Sequence, residues 1–448
     1  MATTDITDIP APDRAAQGSR ARTACLVVML ISMLLPVSRE FGGLRLSPSR
    51  ALLLIGVLPC IAMVLRRRAG RVTALDVTML ALAGWMILSL GVVTGGARLP
   101  FAAITAVELV GGYFVARILV QSEGDYRLVW RCLVIAILCL LPATIIENRT
   151  GQLVIHDLLA PLGDTSYRQQ SAYGRMGLER VYGPFEHPIL WGMFGALSIA
   201  NVFMLSKSWW RLALLLPFLV YSSFSSMSSG AMMVMSLQVM LLAWNVATRG
   251  RWKLLLLLFA ILYVVIDLSS NRTPVTLLIG TFTFNAFSSY VRILIFDYGW
   301  AAVMDNPLFG IGFNDWPRPP WLTNSVDNFW LMQCMRYGLV GGGLTLGLFL
   351  LHLWRVVGAR LPDRALARLR VGHAISLVAL MFALATVHIW GAFSSFVMFY
   401  IGAGVFLYSR THDSEAPPPA PINLRPPLRL SRFDPVHIRR PALHGHPT

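Results

Sequence analysis

Residues 74–93 read ALDVTMLALAGWMILSLGVV, and this stretch decides the class of fold. Apart from Asp76 near its start it holds no charged side chain, and it has the roughly 20 residues that a helix needs to cross about 30 Å of hydrocarbon. Over the whole 448-residue chain, 56% of the residues are hydrophobic and 13% are charged, about half the charged share of a soluble domain. The stretch therefore predicts one membrane-spanning helix among several.

Similar apolar runs recur along the chain. The runs occupy 26–35, 51–65, 74–93, 101–120, 132–146, 189–205, 212–220, 231–246, 254–268, 329–353, 375–390 and 393–408. Some are short and need flanking Ser, Gly or Thr to complete a span. We therefore predict an all-α, polytopic membrane domain of about twelve helices over 24–410. The polar segment 1–23 and the Pro- and Arg-rich segment 411–448 are predicted to be disordered.

Basic residues are distributed unevenly between the connections. If the N-terminus lies in the cytoplasm and the connections alternate, most of the 38 Lys and Arg residues fall on the cytoplasmic side, as the positive-inside rule requires. Both termini are then cytoplasmic. The net charge of +16 follows from this bias towards anionic lipid, so it does not indicate nucleic-acid binding. The five cysteines lie in or near apolar runs and lack metal-ligand spacing.

Two long connections, 147–187 and 269–327, fall on the external side in this topology. Long connections are usually functional or disordered, and the aromatic residues of these two argue against disorder. Within the second, 290–304 is amphipathic enough to form a helix at the membrane surface. Arginines that converge can bind phosphate in bidentate fashion, although any single one can instead contact a lipid headgroup or an acidic neighbour. The arginines considered are Arg175 and Arg180 in the first connection and Arg272 and Arg292 in the second.

Three segments carry the candidate functional residues. The first motif is RVYGPFEHPILWG at 180–192, and the second motif is SSGA at 228–231. The third segment begins with YVR at 290–292 and continues with the Gly-x-Gly motif DNPLFGIGFN (305–314), the Asp-Asn motif SVDNFWL (325–331) and the Tyr-Gly motif YGLVG (337–341). Singly, each has an ordinary explanation. Gly310-Ile311-Gly312 lacks the βαβ context of a dinucleotide site, and Glu186-His187-Pro188 also suits a helix N-terminus.

In this order the segments resemble the O-antigen ligase and polymerase family, whose members join lipid-linked glycans at the outer face of the bacterial inner membrane. The family's pattern is an Arg…Gly-x-Phe-x-His-Pro-x-x-x-Gly stretch, a Ser-x-Gly span start, an external arginine, Pro-x-x-Gly-x-Gly, His-Asn-x-x-Leu and Tyr-Gly-x-x-Gly. These match 180–192, 228–230, Arg292, 307–312, 327–331 and 337–341. The resemblance covers about 180–342. It implies an all-α, GT-C-like fold with two large periplasmic loops.

One position departs from the family pattern. Asp327 stands where the family's ligases usually have a histidine that is thought to assist the acceptor hydroxyl. This difference argues against a strict ligase and is easier to reconcile with a polymerase of exopolysaccharide or O-antigen repeat units. The resemblance then implies a glycosyltransferase that moves a glycan from undecaprenyl diphosphate to an acceptor sugar hydroxyl, without a metal, nucleotide or other cofactor.

The resemblance also implies roles for individual residues. The diphosphate leaving group needs cations, for which the candidates are Arg180 and Arg292, supported by Arg175 and Arg272. The candidates for acting on the acceptor hydroxyl are His187, Glu186 and Asp327. Candidates for contacting the sugars are Trp316, Trp321 and Asn328. Glu108, near the middle of an apolar run, is either functional or a protonated or hydroxyl-bonded structural group.

Other functions fit the same composition. A transporter or flippase of lipid-linked glycans would also have about twelve spans, but it should show paired repeats with broken helices, and the two long connections do not fall at matching positions. An O-antigen ligase and a non-catalytic assembly partner are the remaining alternatives. The expected partners are the undecaprenyl-diphosphate-linked oligosaccharide, the lipid of the bacterial inner membrane, and a chain-length regulator or another polysaccharide-assembly protein.

Overall fold

The computed structural model describes residues 14–41, 44–96, 99–165, 177–269, 286–361 and 363–409. Helices dominate these ranges. They are α1 (Arg14–Met33), α2 (Pro48–Leu65), α3 (Ala74–Thr94), α4 (Leu99–Leu119), α5 (Glu123–Thr150), α6 (Val154–Leu159), α7 (Pro188–Leu205), α8 (Trp209–Ser225), α9 (Ser229–Thr248), α10 (Trp252–Ser269), α11 (Ala286–Asp305), α12 (Phe329–Gly358), α13 (Arg364–Ala383), α14 (Gly391–Gly404) and α15 (Phe406–Ser409). A 3₁₀ turn, Ala160–Leu162, follows α6.

The described residues include 10 helical segments that are long and apolar enough to cross a membrane. This confirms the coarse prediction of a mainly helical, multi-pass membrane protein. The two other predicted runs coincide with α1, which begins with polar residues, and with α8, which has 17 residues. The count of about twelve spans and the GT-C-like fold therefore remain predictions. The predicted helix at 290–304 forms within α11.

The predicted segments at the two ends of the chain are only partly described. Residues 14–23, predicted to belong to a disordered arm, form the first turns of α1, so the helical region begins earlier than expected. The rest of that arm, 1–13, and the predicted tail, 411–448, lie outside the described residues.

Asp76, the one charged residue of the stretch 74–93, has a local and a long-range role. Its carboxylate accepts from the backbone N–H of Thr73 at 2.7 Å and completes a capping box at the start of α3. It also pairs with Arg117 of α4 at 3.1 Å, and both side chains are only 1% exposed. The Tyr113 hydroxyl donates to the same carboxylate at 2.6 Å. Because partners surround both charges, the pair joins α3 and α4 without leaving a buried charge unpaired.

The connections between the helices gather at two ends of the bundle. At one end, which we call the sheet end, the α1–α2 connection pairs with residues 164–165 as a small sheet, and Phe329 N–H donates to Leu384 O at 2.9 Å. At the other end, Arg117 donates to Ala69 O at 2.7 Å and Arg368 donates to Ser206 O at 2.9 Å. Each of these contacts joins segments that the alternating topology places on the same side.

The sheet was not predicted from the sequence. It has three antiparallel strands in the order β2-β1-β3, where β1 is Val37–Phe41, β2 is Leu44–Leu46 and β3 is Asp164–Thr165. Arg39 of β1 faces Leu46 of β2, and Val37 faces Thr165 of β3. The sheet joins the α1–α2 connection to the first long connection.

Small residues and buried polar groups hold the centre of the bundle together. A Cβ at Gly112 of α4 would overlap the carbonyl of Ser395 of α14, so these two helices pack at backbone distance. His352 and His373 meet through their Nε2 atoms at 2.8 Å, and His373 Nδ1 lies 2.9 Å from the Tyr126 hydroxyl. These hydrogen bonds connect α5, α12 and α13 inside the apolar bundle.

Candidate functional site

The first motif packs against the α8–α9 corner, which directly precedes the second motif, at the sheet end. Val181 N–H donates to Ser225 O at 3.0 Å, and the Trp191 indole donates to Ser225 Oγ at 3.2 Å. Arg180 Nε donates to Ser226 O at 3.2 Å. A Cβ at Gly192 would overlap the Ser226 side chain, so glycine is required where α7 passes the α8–α9 corner. The contact fixes the approach of the first motif to α7.

Glu147, at the end of α5, holds the same segment from the other side. Its carboxylate is 1% exposed and accepts from the backbone N–H groups of Tyr182 at 2.7 Å and Gly183 at 3.3 Å. Asn148 adds a bond from its Nδ2 to Glu179 O at 2.6 Å. From the sequence alone, position 147 was only the start of the first long connection.

Replacing Glu147 with Gln is expected to lower the stability of the detergent-solubilised protein by about 2 kcal/mol, because the amide nitrogen cannot accept a hydrogen bond and one buried N–H loses its acceptor. The thermal unfolding midpoint measures this effect. The matched control is Glu123→Gln, which removes the half-buried Glu123–Arg127 pair on one helix face and should cost only about 0.4 kcal/mol. Equal midpoints for the two variants would contradict the role of Glu147.

The Gly-x-Gly and Tyr-Gly motifs also pair. Ile311 N–H donates to Met335 O at 2.7 Å, and Leu339 N–H donates to Pro307 O at 2.7 Å. This pairing is made possible at Gly338, which has non-helical angles of φ 71° and ψ −179° inside α12. The Trp85 indole of α3 donates to Tyr337 O at 2.8 Å. The Gly-x-Gly motif is thus seated in a break of α12, which the apolar run 329–353 did not indicate.

Three predicted site residues line one cavity. Arg292 of α11, Asp327 and Asn328 face it together with Ile295, Phe296, Leu331, Ala385 and Thr386. Asn328 also caps α12, since its Oδ1 accepts from Leu331 N–H at 3.0 Å. The cavity measures ≈ 20 Å³, which is room for about one water molecule.

Glu186 and His187 lie beside Trp390, at the other end of the α13–α14 connection. The Trp390 indole donates to Glu186 Oε2 at 2.8 Å, and the centres of the Trp390 and His187 rings are 5.7 Å apart. His187 caps α7, with its Nδ1 accepting from Ile189 N–H at 3.2 Å. Because Ala385 and Thr386 line the cavity and Trp390 holds Glu186, the connection 384–390 lies between the two groups of predicted residues.

The charge of Glu108 is matched by Arg50. Arg50 Nε lies 2.6 Å from Glu108 Oε1, in the first turn of α2, where Ser47 is the N-cap. The apolar run around Glu108 gave no indication of this partner. The structure pairs Glu108 at the level where α2 begins. The ion pair with Arg50 was not among the predicted alternatives, which were a functional carboxylate or a protonated or hydroxyl-bonded structural group.

Burial shifts the pKa of two groups at the sheet end. It raises the pKa of Glu186 above the usual glutamate value, while the Trp390 hydrogen bond and the charge of Arg45 act in the opposite direction. It lowers the pKa of His388 to about 3, with the charge of Arg336 acting in the same direction. His388 is therefore a neutral ring, and it stacks on Trp390 at 6.0 Å.

The remaining predicted residues have different surroundings. Trp316 is 6% exposed, donates to Asn324 O at 3.3 Å and is covered by Arg318, so its burial favours a structural role over contact with a sugar. Trp321 is 68% exposed. Arg175 and Arg272 lie outside the described residues. Within the described ranges, no cluster of three His, Cys, Asp or Glu side chains is suited to a metal ion.

Sequence reasoning missed Trp390, Arg45, Arg50 and His388. The run 375–390 was interpreted as one span, whereas α13 ends at Ala383, so the connection that carries His388 and Trp390 was not recognised. The polar pair His388 and Trp390 near the end of that run was the available signal.

No protein-family model matches the chain, and it matches no curated protein sequence. The family resemblance therefore depends on the quoted motifs and their order.

Proposed function

We propose that this protein is a polysaccharide polymerase of the O-antigen ligase and polymerase type, acting on undecaprenyl-diphosphate-linked glycans. The observation that supports the proposal best is the grouping of Arg292, Asp327 and Asn328 around one cavity. Glu186 and His187 are held at the far end of the connection that lines the same cavity. A cation and candidate proton acceptors thus lie at one end of the bundle, as glycosyl transfer from a diphosphate requires.

The arginines have the chemistry that the leaving group needs. Breaking the bond to the diphosphate adds negative charge to its oxygen, and a guanidinium close by stabilises that charge. We assign this role to Arg292 and Arg180, with Arg175 and Arg272 in support. Because the cavity has room for about one water molecule, binding of a lipid-linked glycan requires it to open.

The proposed location is the bacterial inner membrane, with both termini in the cytoplasm and the sheet end in the periplasm. The separation of the connections into two ends supports alternating spans. The connection 66–73, which holds four arginines, and the α12–α13 connection, which is flanked by Arg355, Arg364 and Arg368, lie at the end opposite to the sheet, in agreement with the positive-inside rule. The polyprenyl tail of the substrate would lie against the apolar helix faces.

Reconstitution tests the proposal directly. Full-length protein in liposomes, given lipid-linked oligosaccharide from a host that lacks its polymerase, is expected to produce a ladder of longer glycans with EDTA present. The products are resolved on gels, and liposomes without protein are the control. Movement of the lipid between leaflets without chain extension would support a flippase instead, and transfer only to a lipid A core would support a ligase.

A further inference from the structure

One oxygen of the Glu186 carboxylate is held by a hydrogen bond, and the other oxygen accepts no hydrogen bond from the described residues. Its Oε2 accepts from the Trp390 indole at 2.8 Å. Its Oε1 faces Gly391, where an added Cβ would lie 3.2 Å from that oxygen. Gly391 has φ 57°, a conformation that favours glycine. Because Gly391 has no side chain, no side-chain atom at this position covers Oε1, and Glu186 is half-buried rather than enclosed.

The neighbouring charges leave Glu186 without a direct ion pair among the described residues. Arg50 pairs with Glu108 at 2.6 Å and donates to the carbonyl of Arg45, while Arg45 Nε donates to Ser38 Oγ at 2.9 Å. Both guanidinium groups are thereby directed to other acceptors. The charged neighbours of Glu186 are thus Arg45 on β2, Arg50 on α2 and Glu108 on α4. The titratable rings nearby are those of His187 and His388, which lie against Trp390. A carboxylate in this setting keeps its proton affinity, because no cation binds it directly.

The two other candidates for the same role are less suited to it. His187 Nδ1 accepts from Ile189 N–H, so in the neutral ring the proton lies on Nε2, which then donates rather than accepts. Asp327 is exposed, and the hydrogen bond described for its side chain is a long one, 3.4 Å from Ser325 Oγ. Neither group combines an open acceptor atom with a fixed orientation as Glu186 does.

We infer that Glu186 is the general base of the proposed transfer, and that Trp390 is the positioning residue for it. This inference rests on the proposed function. The acceptor hydroxyl oxygen bonds to the anomeric carbon of the donor as the bond from that carbon to the diphosphate breaks. The electron pair goes to the diphosphate oxygen. The hydroxyl proton goes to the Glu186 carboxylate, which then releases it to water.

The test is the pH dependence of chain extension by the full-length protein in liposomes. Glu186→Gln is expected to lower kcat about 100-fold while lipid-linked substrate still binds. Glu186→Asp, which keeps the acid, should retain much more activity. Loss of activity towards low pH reports protonation of the base. Trp390→Phe removes a donor to the carboxylate and should move that loss to higher pH, whereas Glu108→Gln removes a nearby negative charge and should move it to lower pH.

Opposite shifts of this kind are not expected from a purely structural role. Trp244→Phe is the matched control. The Trp244 indole donates to the carbonyl of Arg251 at 3.3 Å, and Arg251 belongs to the connection between α9 and α10, at the end of the bundle opposite to Glu186. Wild-type kcat in Glu186→Gln, an unmoved profile in both neighbouring variants, or loss of kcat in Asp327→Asn alone would each overturn the inference. A wild-type protein that extends no glycan would instead overturn the proposed function.

Discussion

Replacing Arg292 with Ala is expected to lower polymer formation by about 100-fold while the protein still inserts into the membrane. Arg292 lines the cavity with Asp327 and Asn328, and among the described residues it is the predicted diphosphate ligand that does so. Removing one group that stabilises developing negative charge typically costs this much in kcat. The measurement is the rate of glycan extension in liposomes, together with the amount of protein in the membrane fraction.

A second arginine at the same end serves as the control. Arg149, at the end of α5, is exposed, and Arg149→Ala should extend glycans at close to the wild-type rate. Arg292→Lys keeps the charge but loses the planar bidentate group, so an intermediate rate is expected. If Arg292→Ala forms polymer of wild-type length and amount, the diphosphate role is wrong.

The helical framework was predictable because membrane spans depend on local composition. Every one of the twelve apolar runs contains helix, because a helix satisfies its own backbone hydrogen bonds, although the run 375–390 extends beyond the end of α13 at Ala383. The sheet could not be predicted in this way. Its strand β1 pairs with β3 more than a hundred residues later, and β3 has two residues. Such pairing depends on the packing of the helices between them rather than on local sequence.

The candidate site was predictable in its residues but not in its arrangement. The motif order indicated Glu186, His187, Arg292 and Asp327 as candidates, yet no local pattern indicates that the connection 384–390 lies between them. Composition likewise marked Glu108 as unusual without identifying Arg50 as its partner. Pairing between distant charges is a property of the packed helices, so only the structure supplies it.

Gly338→Ala in the Tyr-Gly motif is expected to destabilise the protein by about 3 kcal/mol. Its φ of 71° and ψ of −179° lie in a region that is open essentially to glycine alone. An added Cβ would also overlap the carbonyl of Leu308 in the Gly-x-Gly motif. The backbone of that motif would have to leave the break in α12, which removes its bonds to Met335 and Leu339.

The same helix supplies the control for this prediction. Gly343 of α12 is helical and has no atom within 4 Å of an added Cβ, so Gly343→Ala should be neutral or stabilise by up to about 1 kcal/mol. The two variants make the same chemical change five positions apart. Thermal unfolding in detergent should therefore show a lower midpoint for Gly338→Ala and an unchanged or higher one for Gly343→Ala. Equal midpoints would contradict both the strained backbone of Gly338 and its close contact with the Gly-x-Gly motif, because these two features distinguish the positions.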